Sequence, residues 1–394
     1  MPLSPEISAQ IDETVLREKD ALQKLSRDIH ANPELRFEEH KAAGWIAELL
    51  RARGFTVEQG LAGMPTALRA KKGDAKGAKV AILGEYDALP DIGHACGHNL
   101  IAASAVGAFL AAASVVDRTG GEVVFLGTPA EEGGGGKIKM IKAGVFDGIA
   151  AAMMFHPFDR DILSHPALAS VWLEMKFKGT PAHAAAAPHD GKSALQACMD
   201  TFRLVDGQRV GFRDGVRVHG FVTNGGQAVN IIPEDAACEL SVRARDTEEL
   251  ARVRAIVERC AKAAAMASDV TVSISAREGY RDMRNNLTIA RRFGEHLANG
   301  GRNARETDGR VGAGSTDMGD VSHVCPSIHP YLAIVDENEA LCHQHRFADA
   351  AASNRGLDTA FDAAKALART AAELLVDEAF RSRATEEWKR EQGL

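Results

Sequence analysis

The stretch from Gly84 to Asn99 reads Gly-Glu-Tyr-Asp-Ala-Leu-Pro-Asp-Ile-Gly-His-Ala-Cys-Gly-His-Asn, which crowds Glu85, Asp87, His94, Cys96 and His98 into one short segment. Thiolate, imidazole and carboxylate groups together suit a first-row divalent cation. Further candidates follow at the adjacent pair Glu131-Glu132 and at His156. Adjacent carboxylates on an irregular loop can diverge, so that one binds a cation while the other faces a water molecule as general base. A nearby dication lowers the pKa of such a water toward ~7, which makes hydroxide accessible at neutral pH. One histidine near a loop is more often structural than a ligand. Cys96, His98, Glu132 and His156 at the ends of successive strands are a different case, and jointly they predict a metal-dependent hydrolase.

The elements that must position these groups are readable as apolar runs. Residues 80–83 form one run, and the ligand-rich segment follows it directly; the Ala-rich stretch 100–116 then reads as a buried helix. Residues 123–126 precede Glu131-Glu132, and 149–155 end at His156. Strands alternating with helices predict a mainly parallel sheet covered by helices, in which ligands bind beyond the carboxyl ends of the strands. Residues 5–52 carry helical periodicity broken near Asn32-Pro33. From about residue 169 the order becomes strand (171–178), helix (193–205), strands (216–222 and 236–244), helix (248–266, with Thr247 as a candidate N-cap) and strand (270–276). That β-α-β-β-α-β order is the ferredoxin-like one. We therefore expect a catalytic domain of residues 1–168 and 283–394 and an inserted α+β domain of residues 169–282. A helix at 287–299, a loop-rich stretch at 308–347 and a long helix at 357–390 complete the chain.

Length and composition narrow the function classes. A chain of 394 residues suggests two domains. A net charge of −7 with both signs interspersed gives no footprint for nucleic acid or an anionic membrane. No apolar run reaches the ~18 residues of a membrane span, and the N-terminus shows no basic or apolar signal region. The six cysteines are scattered without a framework spacing, which predicts reduced thiols in the cytoplasm, mostly as small buried apolar residues. Cys96 stands apart because it lies in Cys-Gly-His. The glycine run Gly133 to Gly136 before Lys137 lacks the Ser or Thr of a phosphate loop, since Ile138 stands there, and reads as flexible backbone near the metal site. There is no Gly-x-Ser-x-Gly and no His-Glu-x-x-His. His183 in Pro-Ala-His-Ala, Asn230 in a loop entering a strand, and either histidine of His343-Gln344-His345 are further polar candidates.

Several motifs together resemble the amidohydrolase branch of the aminoacylase/carboxypeptidase superfamily of dinuclear metallohydrolases. They are His30-Ala31-Asn32-Pro33-Glu34-Leu35 with Phe37-Glu38-Glu39, Gly93 to Asn99, Pro129 to Gly133, Phe155-His156-Pro157, Ala182-His183-Ala184, Asn230 to Pro233 and Gly314 to Asp317. The resemblance implies a zinc-exopeptidase-type α/β domain with helices on both faces of its sheet, and an inserted lid or dimerisation domain. It implies two divalent ions, zinc or manganese, with cobalt and nickel as alternatives. Their ligands would be Cys96, His98, Glu132, His156 and His343; His343 stands four before Phe347 as in the branch's His-Ser-Pro-x-Phe, and His345 is the alternative. Glu131 would be the base, Asp87 would orient a ligand, and Asn230 would hold substrate. His183 would reach the partner subunit's site in a homodimer to polarise the scissile carbonyl. The implied reaction is hydrolysis of the amide of an N-acyl amino acid or dipeptide-like substrate. The competing expectation is hydrolytic deamination of an aromatic amine at the same site. Asn99, where many members carry Asp, and Gly84-Glu85-Tyr86-Asp87 resemble the acylase-1-like dipeptidase subgroup rather than the auxin-conjugate hydrolases.

Overall fold

Short runs of apolar residues build the sheet that carries the candidate site. Its strand order is Val57–Gln59, Leu68–Gly73, Glu122–Gly127, Lys79–Gly84, Ile149–Met153, Ser327–Ile328. The last four run parallel, and the first two form an antiparallel edge. The middle strands are buried on both sides, with Val80, Ala81, Ile82 and Leu83 fully inaccessible, as expected where a parallel sheet is covered. The strand Leu68–Gly73, second from that edge, reads Leu-Arg-Ala-Lys-Lys-Gly, and its two lysines are exposed. The computed structural model describes residues 3–277, 279–307, 309 and 314–393. The chain divides into two units: Met1–Pro166, Met283–Arg310 and Thr316–Leu394 form one, and Ala167–Asp282 and Val311–Ser315 the other.

In the first unit, the helix His98–Ala113 is buried along its whole length. It packs on the strand Lys79–Gly84 and against the helices Lys19–Ala31 and Asn354–Val376. Its alanines permit that approach, and Gly107 requires it: a Cβ there would lie 2.9 Å from Leu22 Cδ1 and 3.4 Å from Ala364 Cβ. No helix among the described residues is long and apolar enough to cross a membrane.

The C-terminal region is two helices, Asn354–Val376 and Glu378–Gln392, rather than one over 357–390. Asp377 breaks the run: its backbone is extended, and its side chain caps the second helix at Phe380 N. Similarly, Asp246 rather than Thr247 caps Thr247–Ala267, accepting from Glu249 N at 2.7 Å. The run 149–155 ends as a strand at Met153; His156 opens a separate strand, His156–Phe158, paired with Tyr331–Ala333. Pro157 has no N–H to continue a central ladder. Of the loop-rich stretch 308–347, residues 308 and 310–313 lie outside the described residues. The rest includes the helix Met318–Ser322 and the two strands at 327–328 and 331–333.

One buried ion cluster ties the helices Leu287–Asn299 and Asn354–Val376 together. Arg292 clasps both oxygens of Glu373, and His296 Nε2 lies 3.2 Å from the same carboxylate. Burial opposes the charge of Glu373, but the bonds from Arg292 and His296 outweigh it and hold its pKa down at about 2. A carboxyl group whose folded pKa is depressed stabilises fully above its ordinary value of about 4.5, and that contribution disappears as pH falls through about 2. Wild-type protein should therefore lose stability relative to Glu373→Gln between those pH values. Urea unfolding at stepped pH checks this; parallel curves for the two proteins would refute it.

The second unit is a four-stranded antiparallel sheet ordered Thr271–Arg277, Ala169–Lys178, Asp235–Ala244, Arg217–Asn224. With the helices Ala194–Gln208 and Thr247–Ala267 it follows the β-α-β-β-α-β order. Val171, Leu173, Met175 and Phe177 alternate inward along one strand and meet Val253, Val257 and Ala261 from the second helix. The strand Arg217–Asn224 is an edge and exposes Phe221 and Val222.

Candidate metal centre

The ends of three parallel strands place the chemistry. Glu85 and Asp87 follow Lys79–Gly84, Glu131 and Glu132 follow Glu122–Gly127, and His156 follows Ile149–Met153. Cys96 precedes the helix that starts at His98. Between them, Gly97 has φ +75°, and a Cβ there would stand 2.8 Å from Pro157 Cγ, so only glycine lets Cys96 approach His156. His343 arrives from the loop before the helix His345–Ala351, with its N–H bonded to Ala95 O at 2.9 Å.

These side chains converge. Ligand atoms of Cys96, His98 and His156 lie within 4.8 Å of one another, as do those of Cys96, Glu132 and His343, and those of His98, Glu131 and Glu132. Glu132 joins the last two groups, with its Oε1 3.4 Å from His343 Nε2. His345, exposed at the start of its helix, is not among them. Both partners of His98 Nδ1 are acceptors, Asp87 Oδ1 at 3.0 Å and Asp87 O at 2.9 Å, so in the neutral ring Nδ1 carries the proton and Nε2 presents its lone pair. His156 is set likewise, with Nδ1 donating to Pro157 O at 2.6 Å and Nε2 3.4 Å from Cys96 Sγ. Burial, then neighbouring His98, pushes the His156 pKa down to about 3, which keeps the ring neutral and able to donate a lone pair. Asp87 Oδ2 also accepts Glu132 N at 2.8 Å, so one carboxylate fixes both a ring and the acidic loop.

The residues fit a divalent cation. His98 Nε2 and Glu132 Oε1 are buried without a hydrogen bond, with only the longer approaches of Glu85 Oε2 at 3.5 Å and His343 Nε2 at 3.4 Å, a state that a further group would complete. The donor set of one sulfur, three imidazoles and carboxylates suits zinc or another first-row ion. Beside it stands Glu131, nearly buried. Burial, reinforced by the carboxylates of Glu85, Glu132 and Asp317, raises its pKa well above the usual carboxylate range. The loop that carries it is gripped from the N-terminal region: Glu39 accepts Ala130 N at 2.9 Å, Phe37 N at 2.8 Å and Thr66 Oγ1 at 2.8 Å. This grip holds Ala130 at φ +60°.

Sequence reasoning missed one fully buried charge at the site. Lys137, read as part of a flexible glycine-rich turn, begins the ordered helix Gly136–Lys142 and is wholly inaccessible. Its Nζ donates to Glu85 Oε1 and to Asp317 Oδ1 (2.6 Å), and its backbone N–H donates to Asp317 Oδ2 at 3.0 Å. Burial disfavours the ammonium, but Asp317 and Glu85 outweigh it and keep Lys137 charged. The signal available was a lysine directly after a glycine run that ends in a helix start, with an acid, Asp317, closing the motif Gly314 to Asp317. Lys137→Met would strand two buried carboxylates and should cost about 3–5 kcal/mol in urea unfolding of the metal-free protein; a loss below about 1 kcal/mol would contradict the ion-cluster reading.

His183 and Asn230 lie in the second unit, where the structure brings them side by side. His183 bridges to Ile231, Ala184 N donates to Asn230 O at 2.9 Å, and Ile232 N donates to Ala182 O at 2.9 Å. Both residues are exposed. His183 Nδ1 accepts from Ala185 N (3.3 Å) and Ala186 N (3.1 Å), so in the neutral ring Nε2 carries the proton and is a donor.

Comparison with known proteins agrees with this geometry. The family profile described as peptidase family M20/M25/M40 matches residues 81–372. The mouse Xaa-Arg dipeptidase is 36% identical over 397 residues, covering 96% of this chain and 90% of the relative. A p-aminobenzoyl-glutamate hydrolase polypeptide of Escherichia coli (strain K12) is 33% identical over 68% of this chain and 60% of its own length. Among solved structures, a dinuclear metal-binding peptidase of the M20 family from Bacillus subtilis superposes with a TM-score of 0.72 at 21% identity, covering 91% of this chain and 98% of the other, which supports the fold. The α/β domain with its inserted antiparallel module, the metal-ligand cluster and the family match lead to one conclusion: this chain belongs to the peptidase family M20/M25/M40 and is a metal-dependent amide hydrolase.

Proposed function

We propose that the chain cleaves the amide bond of N-acyl amino acids or dipeptides, using two divalent cations held by Cys96, His98, Glu132, His156 and His343. The observation that carries this is the convergence of those five side chains beside the buried carboxyl of Glu131. The relatives support the substrate class, since a Xaa-Arg dipeptidase and a p-aminobenzoyl-glutamate hydrolase both act on an amide next to an amino acid. The dinuclear peptidase of like fold supports two ions, and the thiolate and imidazoles favour zinc, with manganese next. Bound there, the cations would polarise the scissile carbonyl and acidify the attacking water.

The protein's own groups do the rest. Glu131 takes the water proton and returns it to the leaving amine, and its raised pKa makes the ionised form a stronger base for the first of these steps. Asp87 keeps the His98 lone pair aimed at the ligand cluster. His183 Nε2–H donates to the developing oxyanion, and the Asn230 amide holds substrate beside it. We infer that His183 acts on the site of the partner in a dimer formed through the inserted domain, whose edge strand exposes Phe221 and Val222.

The test is metal-reconstituted protein assayed against N-acyl amino acids, dipeptides ending in arginine, and aromatic amines. Release of the amino acid from the first two classes is expected. Ammonia release from aromatic amines without amide cleavage would replace this reading with deamination. For the dimer, refolding Glu131→Gln and His183→Ala together should regain activity that neither variant has alone; no regain would place both groups on one chain.

A further inference from the structure

Five of the six cysteines are buried; Cys342 is the half-buried exception. It stands directly before His343, whose N–H bonds Ala95 O at 2.9 Å, so segments 342–343 and 95–96 run side by side. The Cys342 thiol lies near enough to the Cys96 thiol to push its pKa up, together with burial. Its Sγ also lies 3.9 Å from Pro157 O, the carbonyl that fixes the His156 ring. Yet Cys342 belongs to none of the converging ligand groups among the described residues. It stands beside the residue whose sulfur the proposed function assigns to a cation, outside the ligand set and half-buried.

We propose that Cys342 and Cys96 form a reversible thiol–disulfide pair that controls metal occupancy, with a hydroperoxide as the oxidant. The accessible Cys342 sulfur attacks the peroxide O–O bond, takes one oxygen to become a sulfenic acid, and the other oxygen leaves as water. The Cys96 sulfur then attacks the Cys342 sulfur, the S–S bond forms, and a second water departs. Two thiols and one hydrogen peroxide give one disulfide and two waters. The disulfide removes the only sulfur from the ligand set, and a dithiol reductant restores it. A cation on Cys96 engages the resolving sulfur, so the loaded protein resists cross-linking.

The inference rests on Cys96 being a ligand, and the experiment separates the two. Full-length protein, zinc-loaded or metal-stripped, is treated with hydrogen peroxide, alkylated, digested and mapped by mass spectrometry. Zinc affinity is then measured by competition with a chromogenic chelator after the peroxide is removed. The stripped protein should give a Cys96–Cys342 cross-linked peptide that dithiothreitol removes, and the loaded protein at least about tenfold less of it. Cross-linked protein should bind zinc at least about tenfold more weakly than reduced protein. Cys342→Ser, or Cys342→Ala if that variant folds poorly, should form no cross-link and keep its zinc affinity after peroxide, while Cys325→Ser behaves as wild type. Over-oxidation of either sulfur without a cross-link, or a cross-linked protein that binds zinc as tightly as the reduced one, overturns the pair. Equal zinc binding by reduced wild type and Cys96→Ser would instead remove the ligand assignment, whatever the cross-link shows.

Discussion

Glu131→Gln lowers kcat by about 10³-fold while the cations stay bound and KM changes little. The substitution keeps the volume and hydrogen-bonding shape of the side chain but removes the basic oxygen. Glu131 is 8% exposed, and its neighbours include three carboxyl groups, Glu85, Glu132 and Asp317. Such surroundings make a proton on Glu131 comfortable, which a base must tolerate between taking the proton and giving it back. Steady-state kinetics with metal analysis on the same sample check this; a kcat within tenfold of wild type would assign the base elsewhere.

Stripping the protein with a chelator abolishes turnover, and readdition of zinc or manganese restores it. The same treatment lowers stability. Glu85, Asp87, Glu131, Glu132 and Asp317 are buried or nearly so within one site. Lys137 faces Glu85 and Asp317, and His98 faces Asp87; ionising Glu131 and Glu132 beside them costs repulsion in a dry site, which bound cations would relieve as well as supplying chemistry. A cation at a thousandfold excess over its Kd adds about 4 kcal/mol to the folded state by mass action alone. Thermal unfolding should move up accordingly on metal addition, and His98→Ala should lose most of that shift. Unchanged melting with and without metal would mean that the cluster does not bind cations in the folded protein.

How much of this the sequence disclosed depends on the distance over which each feature is decided. The parallel strands are short apolar runs, and their ends carry Glu85, Glu131 and His156; local composition specifies both, so the α/β fold and the acidic loops were legible. The inserted module was legible because period-two alternation along 171–177 and the helix over 247–267 are strong local signals. Helix ends were less so: Asp246 and Asp377 cap through a single side-chain bond, and neighbouring Thr247 and the continuous pattern over 357–390 offered equally plausible alternatives. Of the two antiparallel strands at that side, Val57–Gln59 is only three residues long and Leu68–Gly73 carries Arg and Lys, so neither offers an apolar face long enough to read.

Within the site, the ligand types were legible as chemistry, but their selection was not. Spacing alone left His343 and His345 open; the bond from His343 N to Ala95 O, between residues far apart in the chain, is what brings one ring to Glu132. Lys137 was hidden for the same reason. Its partners Glu85 and Asp317 come from distant segments, and nothing local distinguishes a buried lysine from a solvated one. Cys342 looked like any other small apolar residue until the fold set it against Cys96.

The most direct test is anomalous diffraction from crystals grown with zinc, recorded on both sides of the absorption edge. The account predicts two peaks about 3.5–4 Å apart, one reached by Cys96 and one by His98, with Glu132 between them and Glu131 outside the coordination spheres. A single peak, no peak, or ions bound away from these side chains would contradict it.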